Sequence, residues 1–341
     1  MAHELNFENG EASLMYVGEL PWHGLGTRLE TAPKTAQEAI TAAHLDWEVE
    51  LKSVYAGGKG MLYNVPSRQA VVRADKWGQE DCSVYGLVGS EYVPLQNRDA
   101  FTFFDPVVGS GAVSYETAGS LGQGERVWVL AKIKGANGEF AIKGKDVVQK
   151  YLLLSNGHDG RTAVQVRFTP IRVVCQNTLS FAFSMGRDLF KIYHDPQMHL
   201  RLEHAQEKVK EILGYYDDVE KRFQEFATFD MSKSRIDRYV LGVFPEPSRK
   251  RGQSDRSFEE TQARVAELRS DSVRLFEEGK GNQEPGIRGT LWAAYNGVTE
   301  LVDHHSRFTT PWQRMNSICF GEGERLKHRA LEQASVLFSA N

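Results

Sequence analysis

The sequence predicts an α+β fold: a central antiparallel β-sheet with a β-β-β-α unit, flanked by helices and followed by a mainly helical C-terminal region. Three observations predict it. Residues 126–133 and 162–168 alternate apolar and polar side chains, the period of a half-buried strand. Between the apolar run Tyr151–Leu154 and the second alternating stretch lies Asn156-Gly157-His158-Asp159-Gly160, which supplies the left-handed positions a hairpin needs. From residue 197 onward the apolar residues recur at intervals of three and four, the helical period. This shift in pattern divides the chain into an α+β core domain over 1–190 and a helical region over 191–341.

In chain order, residues 1–18 read as partly extended. In PWHGLGT, 21–27, Gly24 and Gly26 allow a sharply folded backbone, while Trp22 offers an aromatic anchor and His23 a titratable ring. A loop pinned by a buried tryptophan and a ligand site both fit that motif. Thr35–His44 is a short helix capped by Thr35. Trp47–Tyr55, Met61–Val65 and Gln69–Ala74 form a meander punctuated by AGGKG and Pro66-Ser67. Tyr92–Phe104 turns helical after Pro94, with Asn97 as cap. Arg126–Ile133 is a central strand, and Glu139–Ile142 is its return strand after a glycine turn. Pro170 bends the chain beyond Phe168, and Ile171, Val173 and Val174 then surround Arg172. Cys175–Thr178 leads into a helix from Leu179, capped by Asn177 or Thr178. Arg172 and Asn177 are expected to bond backbone carbonyls or a carboxylate in the core.

The helical region opens with the cleanest periodicity of the chain. Met198, Leu202, Ala205, Val209, Ile212, Tyr216, Val219, Phe223 and Phe226 step by four and three along a predicted helix over 197–229. Such a seam packs against another helix or another subunit, so a homo-oligomer is expected. Further helices are read over 235–244, 258–278, 286–303 and 325–338, with a polar, locally basic, flexible loop over 245–257.

Composition narrows the function. At 341 residues and 41% hydrophobic content, the chain can bury a sizeable core. Its net charge of −4 argues against a binder that relies on an overall basic field. Cys82, Cys175 and Cys319 lack paired spacing, which suggests a reducing cytoplasm. No apolar run approaches the roughly 18 residues of a membrane span, so no membrane partner is expected.

Most catalytic signatures fail on inspection. Residues 138–145 resemble a phosphate-binding loop, but the glycines stand one residue too far apart and Asp146 occupies the hydroxyl position. There is no His-Glu-x-x-His and no Cys-x-x-Cys, so neither metal nor cofactor is expected. The best acid/base candidates are His158 and Asp159, which a turn could present beside Arg161; Asp159-Gly160 could equally serve only to make the turn. On the sheet, Arg126, Trp128, Lys132, Gln165 and Arg167 are expected on the face away from the core. Cations interleaved with an aromatic suit single-stranded nucleic acid, where phosphates need charge and bases need stacking. They suit an ordinary solvated face equally well.

PWHGLGT at 21–27, YETAGSLGQGERVWVLAKI at 115–133, YLLLSNGHDG at 151–160, IRVVCQNTLSFA at 171–182 and GTLWAAYNGVTELVDHH at 289–305 together resemble the phage/plasmid-like protein family, domain of unknown function 932. The resemblance implies a protein of bacteriophages, prophages and plasmids without an established activity. Its element order is similar in outline to phage single-strand annealing proteins, which have a β-β-β-α core, helical flanks and oligomeric rings or filaments. The leading expectation is therefore single-stranded DNA binding or annealing in mobile-element replication or recombination, and not an enzyme. The alternatives are an enzyme or host-defence antagonist acting through the His158-Asp159 turn, and an oligomeric structural or adaptor protein.

Overall fold

The computed structural model describes residues 6–8, 10–18, 26–135, 138–172, 177–178, 190–212, 216–306, 308, 313–314, 317–318 and 321–340. The N-terminal part holds strands β1 (Phe7–Glu8), β2 (Glu11–Ala12), β3 (Leu14–Val17), β4 (Thr27–Leu29), β5 (Val49–Gly58), β6 (Met61–Arg73) and β7 (Val84–Val88). There follow β8 (Val113–Leu121), β9 (Arg126–Ile133), β10 (Glu139–Ile142), β11 (Asp146–Gln149), β12 (Tyr151–Gly157), β13 (Val164–Phe168), β14 (Ile171–Arg172), β15 (Asn177–Thr178) and β16 (Phe190–Ile192). The helices are α1 (Ala36–Ala42), α2 (Asn97–Phe101), α3 (Asp105–Gly109), α4 (Met198–Ile212), α5 (Tyr216–Phe226), α6 (Lys233–Val243), α7 (Asp255–Glu278), α8 (Leu291–Glu300) and α9 (Glu322–Ser339).

The class is α+β, as the patterning predicts. The central sheet runs β16-β13-β12-β9-β8-β3-β4, antiparallel except for the β3–β4 edge. Its middle strands β9, β12 and β13 are the three predicted from alternation and the polar turn. Val127, Val129, Ala131 and Ile133 of β9 face the main core, which extends from Met15 to Leu337 and draws on residues both before and after 190.

One buried polar network ties the sheets to the helices. Arg172, with no solvent exposure, donates from Nε to both carboxylate oxygens of Asp146 at 2.8 and 2.7 Å. Trp292 Nε1 donates to the same carboxylate at 2.7 Å, and Arg172 Nη1 reaches Asn282 Oδ1 at 3.0 Å and the Lys280 carbonyl at 2.9 Å. A buried guanidinium needs such a partner, because desolvation without one costs several kcal/mol, on the order of 3–5. Arg172 thus binds both a carboxylate and a backbone carbonyl in the core, the two roles expected of it.

Several elements differ from expectation for identifiable reasons. Asn97 does not cap its helix; Gln96 holds that position, and buried Asn97 donates to the carbonyls of Leu45 at 3.0 Å and Trp47 at 3.4 Å. Thr35 does cap α1, accepting from the Glu38 amide at 3.2 Å. Strand β6 runs through Pro66, because the Ser53–Gln69 and Tyr55–Asn64 pairings leave 65–68 outside the ladder, where no proline N–H is needed. Strand β10 returns not to β9 but to β11, in a separate sheet ordered β10-β11-β14-β15. Asn177 and Thr178 pair with Arg172 and Ile171 as a short strand. Trp22, His23, Cys175 and the helix expected from Leu179 lie outside the described residues.

The long seam lies along α4 and α5, on either side of residues 213–215. It is buried within this chain. Met198, Leu202, Ala205, Val209, Val219, Phe223 and Phe226 are all in the core. Phe223 packs 4.6 Å from Trp292 and 5.9 Å from Tyr295, centroid to centroid, so the motive for expecting an oligomer through this seam falls away. No helix among the described residues is long and apolar enough to cross a membrane.

Candidate functional site

Strand register decides which side chains share the face opposite the main core. Cross-strand partners point to the same side of a sheet. The pairings therefore align Leu14, Gly119, Trp128, Ser155, Gln165 and Lys191 in one row across six strands. A second row holds Tyr16, Thr117, Leu130, Leu153 and Arg167. Arg126 and Lys132 stand further along β9 on the same side, opposite Gly157 and Tyr151. Arg126, Trp128, Lys132, Gln165 and Arg167 thus share one face.

Their exposure differs from expectation. Trp128 is only 6% exposed and packs with Leu14, Leu121 and Leu153 in a second, smaller apolar cluster. Gly119 makes room for it, since a Cβ there would stand 3.4 Å from the indole and 2.9 Å from Leu14 Cδ1. The indole is core, and no open stacking plate exists there. Alternation along β9 shows that one face is apolar; it cannot show that the other face is covered as well.

The cations are half-buried and tethered. Arg126 Nη2 donates to Thr162 Oγ1 at 2.9 Å, and that hydroxyl donates to Asp159 Oδ2 at 3.0 Å. Arg167 Nη1 pairs with Glu324 Oε1 at 3.0 Å, while its Nη2 donates to Gln165 Oε1 at 2.6 Å. Burial pulls the Arg126 guanidinium below its ordinary range; Asp159 and Glu125 pull it back up, and like charge on Arg167 opposes them. Along β9, the row of Trp128 and Ser155 lies between those of Arg126 and Arg167. Trp128 Nε1 and Ser155 Oγ, both buried, have no hydrogen-bond partner among the described residues. Nearby, burial raises the Glu116 carboxyl although Lys132 and Lys134 act to lower it.

The turn carrying His158, Asp159 and Arg161 is built as structure. His158 is fully buried, 5.5 Å from the Trp47 ring and 6.3 Å from Tyr85, with Nε2 2.9 Å from Asn97 Oδ1. Burial, helped by repulsion from His194, lowers its pKa to about 3, so the ring is neutral near pH 7. Asp159 Oδ1 accepts from the amides of Arg161 at 2.9 Å and Thr162 at 2.8 Å. Strand β7 presses on this turn: a Cβ on Gly86 would lie 2.2 Å from the Asp159 carbonyl oxygen. An exposed acid/base pair is not what this turn presents.

Helix α9 adds what the sequence reading missed. It carries Glu324 to Arg167 and, one turn on, fully buried Lys327 to Asp303 at 2.8 Å. Asp303 lies in a π-helical turn, Leu301–His305, that continues α8. The only signal in the sequence was an acidic residue and two histidines ending an apolar helix. Among the described residues, no group of three or more His, Cys, Asp or Glu side chains could hold a metal ion.

A model of the family described as Domain of unknown function (DUF932) matches residues 84–332. No curated protein and no solved structure matches the chain.

Proposed function

The chain belongs to the family of domain of unknown function 932, and from that premise we propose that it binds single-stranded DNA across the outer face of its central sheet, in the replication or recombination of a mobile element. The observation that carries the reading is a pair of half-buried arginines, Arg126 and Arg167, brought to one sheet face. Between their rows stand two buried polar atoms, Trp128 Nε1 and Ser155 Oγ, without a partner among the described residues. Bidentate geometry suits each guanidinium to a phosphate, which would compete with the tethers to Glu324 and Thr162. Lys132 and exposed Lys191 extend the cationic character along the same face. Net charge does not oppose this, since recognition depends on the local field and not on the total of −4. Trp128 in this reading is a buried floor beneath the face and stacks on no base.

The test compares Arg126→Ala and Arg167→Ala with the unaltered chain for binding a labelled single-stranded oligonucleotide at low salt. Each variant is expected to bind more weakly, with a salt dependence reduced by about one phosphate contact, a log–log slope change of roughly 0.7. Folded variants that bind as the unaltered chain does would overturn the assignment of this face.

A further inference from the structure

Four large apolar side chains stand exposed together in strands β5 and β6, which precede the family match. Strands β5 and β6 continue past their packed halves as a two-stranded ribbon from Tyr55–Asn64 to Gly58–Met61. Lys59 and Gly60 close it, with φ of 50° and 77°. Positive φ at both central positions is the turn whose twist matches a two-stranded ribbon, and it holds Lys59 at the tip. Leu62 is 75% exposed, Met61 57%, Tyr55 55% and Tyr63 53%. The register sets Tyr55 and Tyr63 on opposite faces of the ribbon, and both faces meet solvent. A lone two-stranded ribbon is marginal in water and gains little from exposing apolar side chains. Such a surface calls for a partner.

We propose that this ribbon is an arm that grips single-stranded DNA, its two tyrosines stacking on bases and its cations meeting phosphates. The proposal rests on the single-stranded DNA reading above and adds a second contact surface to it. Charge selects this occupant. Between residues 51 and 74 there is no aspartate or glutamate, while Lys52, Lys59, Arg68 and Arg73 are cationic, in a chain whose net charge is −4. Arg73 is buried against Asp75, and Lys52 pairs with Glu50, but Lys59 and Arg68 stand exposed. The ribbon therefore presents a local positive field beside exposed aromatics, the combination that sequence-tolerant single-strand binders use. A second copy of the chain fits poorly, since an identical ribbon has no carboxylate between 51 and 74 to set against Lys59 and Arg68. A bilayer also fits poorly, because the leading residue of the tip is a lysine flanked by glycines, which is costly to bury in lipid.

The experiment titrates a fluorescent oligothymidine with the full chain, with Tyr55→Ala/Tyr63→Ala, with Lys59→Glu and with Arg167→Ala. Base–aromatic stacking is worth about 1–3 kcal/mol per base, so the double tyrosine variant is expected to bind at least about tenfold more weakly with an unchanged salt slope. Lys59→Glu is expected to reduce the slope. Photo-crosslinking of 4-thiothymidine DNA to the unaltered chain reads the contact without any substitution, and the adduct is expected on residues 55–63. Normal binding by the tyrosine variant, with adducts elsewhere, overturns the arm while leaving the sheet face standing if Arg167→Ala still weakens binding. The converse pattern keeps the arm and removes the sheet face. No binding by the unaltered chain removes both, and ribbon-dependent binding to anionic phospholipid vesicles would then assign the arm to a membrane surface.

Discussion

Asp146 joins two distant parts of the interior, because Arg172 and Trp292 both donate to it. Asp146→Ala would leave Arg172 buried without its counter-charge, and is expected to destabilise the fold by about 3–5 kcal/mol, read from the urea midpoint. Replacing Asp146 and Arg172 together by apolar residues of similar volume should cost less, since no buried charge remains. His158 makes a pH prediction. Its folded pKa of about 3 lies below the ordinary 6.5, so the unfolded chain takes up the proton first. The stability this neutral ring supplies is present above pH 6.5 and is lost as pH falls from there toward 3. His194 is shifted in the same direction, chiefly by burial, and adds to the trend. Urea midpoints at pH 7 and 5 should therefore differ less in a folded His158→Gln variant than in the unaltered chain. At this scale the sequence was partly legible. The apolar residues around Arg172 announced a buried charge, but nothing adjacent to it named Asp146 or Trp292, respectively 26 and 120 residues away.

Elements were legible wherever one period governed them. Strands β9 and β13 and helices α6 and α7 stand close to where alternation and helical spacing predict. Strand β8 was not read as a strand, because a bulge between Tyr115 and Thr117 shifts its register and breaks the two-residue period midway. The seam of α4 and α5 was read correctly as a packing face, but periodicity does not say whether the partner belongs to the same chain. Phe223→Ala is therefore expected to cost about 3–5 kcal/mol of stability. It should leave the mass measured by light scattering unchanged, and a change of oligomeric state would contradict the intramolecular packing. Gly86→Ala tests the contact of β7 with the His158 turn. Its Cβ would meet backbone at 2.2 Å, so a loss of about 1–3 kcal/mol is expected from overpacking.

At the scale of the whole molecule, a single main core joins residues from both ends of the chain. Sequence placed Arg126, Lys132, Gln165 and Arg167 on one face and could not show that Trp128 was already covered. It also carried the exposed ribbon in plain view, as YAGGKGMLY at 55–63, yet read it only as the turn of a meander. Exposure is a property of what the rest of the chain fails to cover, and local pattern does not contain it. The two surfaces make one account of a protein of net charge −4 that handles a polyanion through local cationic sites. The measurement that tests it most directly is the affinity of the unaltered chain for single-stranded DNA across a salt series. The account predicts binding at low salt that weakens along a straight log–log line, with a slope of about −0.7 for each phosphate contacted. No binding at low salt, or an affinity indifferent to salt, would contradict it.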